Sequence, residues 1–137
     1  MVAPQQASAR RPISKGRWAL AVLFVVAGTL HFAVPAPYLR IMPPSLFRFP
    51  LPHPALLVAI SGAAEIAGGL GLLFAWTKRA AAIGLVVLLV AVCPANWHMA
   101  IAGYPGIPAW ALWLRLPLQL PLIWWASRYA RRAPPPA

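Results

Sequence analysis

The stretch "AISGAAEIAGGLGLL", Ala59 to Leu73, holds Glu65, the only acidic residue among 137. Aspartate is absent, while lysine and arginine together number 12. A run of glycine, alanine, isoleucine and leucine this long is apolar on nearly every face, and such a helix belongs in lipid or in a deep core. Composition decides between the two. Apolar residues make up 61% of the chain and charged residues 9%, against roughly 25% charged in a soluble domain. There is too little polar surface here to cover a water-soluble fold, so the chain reads as a membrane protein. A carboxylate is costly in hydrocarbon, so Glu65 is expected to point into a bundle and to find company there.

Working outward from that run, four apolar segments of about the ~20 residues needed to cross a bilayer emerge. They cover about 18–36, 54–76, 80–102 and 108–127, between a basic tail at 1–17 and a basic, proline-rich tail at 128–137. The predicted fold is all-α: a polytopic four-transmembrane-helix bundle in one membrane domain, 18–127. The first segment, with basic residues before it and "AVPA" near its end, fits a signal peptide loosely. Three more spans follow and Pro37 would stand just after the cut, so it is read as a retained helix.

Cations set the expected orientation. Arg10, Arg11, Lys15, Arg17, Lys78, Arg79, Arg128, Arg131 and Arg132 fall on one side, and Arg40 and Arg48 on the other. Nine against two predicts that both termini are cytoplasmic. Trp18, Trp76, Trp97, Trp110, Trp124 and Trp125 lie near span ends, as an aromatic belt requires. The net charge of +11 sits beside apolar runs instead of on a folded basic face, so the partner it implies is the lipid bilayer and not nucleic acid. Cys93 is the only cysteine, which leaves no disulfide, CxxC pair or thiolate metal cage. The connection "PYLRIMPPSLFRFPLPHP" is proline-rich and aromatic; it is expected to lie along the interface or cap the bundle mouth, without a regular helix through it. The tail "RRAPPPA" is expected to be disordered.

On a helix, Ser61, Ala64, Gly68 and Gly71 form one small-residue stripe, and Gly62, Glu65 and Gly69 the next. Small residues let membrane helices approach closely, which turns Glu65 inward. Helix rise puts Glu65 roughly 16 Å and Arg115 roughly 10 Å below the outer end of their helices, with Gln119 one turn deeper than Arg115. His31 and Asn96 fall in the outer third. These five residues are the candidate ligand-binding or proton-handling groups, and an ion pair between Glu65 and Arg115 is expected. His53 and His98 are assigned to the outer interface. "LWLRLPLQLPLIWW" alternates like a strand, but an isolated strand cannot satisfy its backbone in lipid, so a helix is expected, with Pro117 and Pro121 opposite Arg115 and Gln119.

"GTLHFAVPAPYLRIMPP", "GAAEIAGGLGLL", "PANWHMA" and "LRLPLQLPLIWW", in this order, resemble the DoxX family of small four-helix membrane proteins over roughly residues 28–125. The resemblance implies a bundle in the cytoplasmic membrane of a prokaryote. It marks His31, Pro43, Pro44, Glu65, Pro94, Asn96, Arg115 and Gln119 as family-pattern positions. Some DoxX-like proteins are associated with thiosulfate:quinone oxidoreductases or with membrane complexes handling thiol and oxidative stress. With one thiol, this chain would need a redox partner subunit or a bound quinone for such chemistry. The expected function is therefore a non-catalytic accessory subunit of a membrane redox complex with a quinone pocket in the outer half. A proton-coupled transporter or channel component using Glu65, as a homodimer, is the alternative. A scaffold or assembly factor is the third. No catalytic residue and no metal site is assigned.

Overall fold

The computed structural model describes residues 12–44, 50 and 52–131. The expectations for Arg10, Arg11, Arg48 and the 132–137 tail fall outside the described residues. Six helices account for most of what is described: α1 (Lys15–Ala33), α2 (Pro35–Arg40), α3 (Pro54–Leu73), α4 (Lys78–Ala91), α5 (Cys93–Ala102) and α6 (Ala109–Ala130). Among the described residues three stretches are long and apolar enough to cross a membrane: Lys15–Ala33, Pro54–Leu73 and Lys78–Ala102, the last spanning α4 and α5. Their outward faces stay apolar, with Leu56, Ile60, Val87 and Val90 all exposed. The 22-residue α6 is as long, but carries Arg115, Gln119 and two internal prolines, Pro117 and Pro121. Its period-two sequence is nevertheless helical, as lipid or a helix neighbour demands.

Helix ends follow local chemistry. Ser14 accepts a hydrogen bond from Arg17 N at 3.3 Å, so α1 starts at Lys15, ahead of the expected boundary at 18. Val34 precedes a proline, leaves helical geometry at φ −137°, and ends α1. The linker was expected to lack a regular helix, but α2 forms at its start. Pro35 and Pro37 lie in the first turn of α2, where the missing N–H groups would have had no partner anyway. His53 Nδ1 accepts from Ala55 N at 3.3 Å and opens α3. The expected third span is not one helix. It breaks at Val92, immediately before α5 begins with Cys93 and Pro94. In the α5–α6 connection Ile107 N donates to Tyr104 O at 3.1 Å across Pro105 and Gly106, whose φ of 80° is the glycine position of a type II turn.

The helices pack in the order α1, α3, α4, α6, with α5 against α6. At the end carrying Lys15 and Ala130, Leu20, Ala21, Phe24, Leu72, Ala82, Leu85, Leu89 and Ala126 form the apolar core. Two arginines close helix ends there. Arg17 Nη2 donates to Leu73 O at 3.3 Å, and Arg79 Nε donates to Ala130 O at 3.1 Å. These carbonyls belong to the last turn or last residue of α3 and α6, where helix geometry leaves acceptors without amide partners and the dipole favours a cation. Thr77 Oγ1 adds a 2.7 Å bond to Gly71 O. Lys15, Arg17, Lys78, Arg79, Arg128 and Arg131 therefore share this end. At the opposite end Arg40 of α2 lies over the Tyr104 ring, 5.6 Å from its centroid, tying α2 to the α5–α6 turn.

The two small-residue stripes of α3 divide between neighbours. Gly62 and Gly69 face α1, and Gly68 and Gly71 face α4. The tightest approach to backbone is at Gly28, where a methyl group would stand 2.5 Å from Gly62 O. Only glycine fits such backbone-to-backbone contact.

Candidate functional site

The Gly28–Gly62 crossing fixes the site. Three residues beyond each glycine along its own helix come His31 and Glu65, and the two helices run antiparallel. Helical side chains lean toward the N-terminus of their own helix, so on antiparallel neighbours these two lean toward each other. His31 Nδ1 lies 3.3 Å from Glu65 Oε2. The same nitrogen lies 2.9 Å from Ala27 O. A backbone carbonyl only accepts, so Nδ1 carries a proton and aims it at Ala27 O. Glu65 Oε2 sits beside that N–H without hydrogen-bond geometry and has no protein partner among the described residues.

The His31 ring is covered in turn. Tyr38 of α2 stacks on it with centroids 3.8 Å apart and planes 25° from parallel. Burial pushes the Tyr38 phenol up from its ordinary value; Glu65 adds to that rise and Arg115 opposes it. Tyr38 was not among the sequence candidates, because its segment read as an interfacial linker. It lies seven residues after His31, and the short turn of α2 folds it back over the imidazole.

The expected Glu65–Arg115 ion pair does not form. Among the described residues the carboxylate's close partner is His31, and Arg115 Nη1 instead reaches Met99 Sδ at 3.6 Å. The buried line of α6 runs through Leu112, Gln119 and Ala126 at spacings of seven. Arg115 sits off that line and is exposed. Depth alone suggested the pairing; rotation about the helix axis prevents it.

Asn96 and Gln119 make a second, separate group. Gln119 Nε2 donates to Leu89 O, in the last turn of α4 beside the break, and Asn96 Nδ2 donates to Gln119 Oε1 at 3.4 Å. Cys93 Sγ also points at Leu89 O, 3.5 Å away. The five candidates thus divide into a His31–Glu65 pair between α1 and α3 and an Asn96–Gln119 pair between α5 and α6, with Arg115 bound to neither. Beside the second pair lies an open groove of about 560 Å³ lined by Pro43, Pro94, Trp97, His98, Leu116 and Gln119, with Cys93 and Ile101. Pro44, Pro117 and Pro121 are exposed, while Pro43, Gly62 and Gly69 are buried. No group of three or more His, Cys, Asp or Glu side chains suited to a metal occurs among the described residues.

Fold and site together define a class: an all-helical protein with three described stretches fit to cross a membrane and a largely buried His31–Glu65 pair between two of its helices. The chain belongs to the family described as a domain of unknown function, DUF8561, whose model matches residues 20–130. That match takes in all five candidate residues and Tyr38. No curated protein and no solved structure matches the chain.

Proposed function

We propose that the protein is a DoxX-like, four-span protein of a prokaryotic cytoplasmic membrane that serves a redox complex by holding a quinone. In this reading α6 is the fourth span and both termini are cytoplasmic. The gathering of Lys15, Arg17, Lys78, Arg79, Arg128 and Arg131 at one end supports that orientation. A reporter fused to the C-terminus is expected to be cytoplasmic, and one inserted between Gly103 and Pro108 external. An external C-terminus would remove α6 from the count of spans.

One observation carries the quinone reading: Pro43, Pro94 and Gln119, all marked by the resemblance, line the same groove as Trp97 and His98. An open, mostly apolar groove with an indole for stacking and an amide and imidazole for a carbonyl oxygen suits a flat ring on an isoprenoid tail. Electrons would come from a partner subunit, since a single thiol cannot form a redox-active disulfide within the chain. The His31–Glu65 pair would then handle a proton released or taken up as the ring changes redox state.

Lipid extraction and mass spectrometry of gently purified protein is expected to recover a quinone in near-stoichiometric amount. Leu116→Trp fills the groove without touching its polar groups and is expected to cut that yield about tenfold, the effect of ~1.4 kcal/mol. Equal yield from both proteins would place the quinone elsewhere, and none from either would overturn the reading. A second reading, a small proton-coupled carrier, is favoured by the buried Glu65 Oε2, which has no hydrogen-bond partner among the described residues. That carrier would show proton uptake into vesicles lost in Glu65→Gln and untouched by Leu116→Trp.

A further inference from the structure

Two buried oxygens on α3 lack a protein hydrogen-bond partner among the described residues: Ser61 Oγ and Glu65 Oε2. They are four residues apart, one helical turn along α3, where its two small-residue stripes adjoin. A helix-interior serine or threonine ordinarily turns its hydroxyl back to the carbonyl one turn earlier. Thr29 does this with Val25 O at 2.7 Å, and Cys93 does the same with Leu89 O. Ser61 does not. The Glu65 side chain leans toward the N-terminus of α3, over the turn that holds Ser61, which shortens the ~6 Å of rise between them.

We propose that Ser61 Oγ and Glu65 Oε2 together bind one internal water molecule. The water donates to the carboxylate oxygen and bonds to the hydroxyl, so both groups are satisfied at once. Two to four polar partners are what a buried water takes. A metal cation is a poor occupant, since two oxygens fall well short of the six or more that hard cations require. The site explains how a lone carboxyl stays inside the bundle without an arginine. Neither residue lines the groove, so the site does not depend on what the groove holds.

The sign of one substitution tests it. A buried hydroxyl with nothing to bond is a liability, so removing it would raise stability. A hydroxyl that anchors a water serving Glu65 is an asset. Ser61→Ala is therefore expected to lower the thermal midpoint in detergent by about 4 °C. In a Glu65→Leu background, or Glu65→Met should leucine pack badly, the same change is expected to shift the midpoint by less than about 1 °C. A rise on Ser61→Ala, or an equal fall in both backgrounds, would overturn the proposal.

Discussion

Gly28→Val is expected to cause the largest loss of stability of any single substitution outside the polar site. The first atom of the new side chain would meet Gly62 O at 2.5 Å, Ile66 Cγ1 at 2.8 Å and Glu65 Cβ at 3.0 Å. Ile66 can change rotamer, but a carbonyl of α3 cannot retreat unless the whole helix moves. The crossing must widen, and the His31–Glu65 contact beside it widens too. Overpacking a close contact costs about 3 kcal/mol at the upper end of its usual range. For a protein of this size the thermal midpoint should fall by about 10 °C. Gly84→Val is the matched control, because nothing lies within 4 Å of a methyl group placed there. Similar losses at both positions would mean that helix propensity, and not the α1–α3 approach, sets the effect.

Glu65 is expected to couple to His31 and not to Arg115. His31→Phe keeps a ring beneath Tyr38 but removes Nδ1, which lies 3.3 Å from Glu65 Oε2. Stranding one member of a buried pair costs about 3 kcal/mol or more. Glu65→Leu should cost less, since Nδ1–H keeps its bond to Ala27 O. The double variant is expected to recover at least ~1 kcal/mol of the summed losses, the range typical of residues in contact. Arg115→Gln combined with Glu65→Leu should be additive within about 0.5 kcal/mol. Thermal unfolding in detergent of the six proteins measures both cycles. Additivity in the histidine cycle would dissolve the pair.

Much of this arrangement can be read from the residues. Apolar runs locate the long helices, the glycine stripes point Glu65 into the bundle, and the cations collect at one end. What the sequence conceals is azimuth. Arg115 lies at a suitable depth for Glu65, but Leu112, Gln119 and Ala126 take the buried line of α6 and turn the arginine away. The true partner has a signal that depth arguments overlook: Gly28–His31 and Gly62–Glu65 repeat the same three-residue offset on antiparallel helices. Two glycines that touch bring the residues three positions later toward each other. Tyr38 is harder to see, because a proline-rich linker hides a turn of helix whose prolines occupy only its opening positions. The break at Val92 follows from Pro94, but its repair by Gln119 comes from another helix and has no local trace.

Arg17 and Arg79 have two duties that cannot be separated. As charges they belong to the set on which the proposed orientation rests. As donors they close the ends of α3 and α6 by binding Leu73 O and Ala130 O. An inverted chain made by moving these cations to the opposite loops would insert with both carbonyls open. In the proposed orientation, insertion history would be written into the folded state: the copies that enter that way round would also be the ones whose helix ends can be latched.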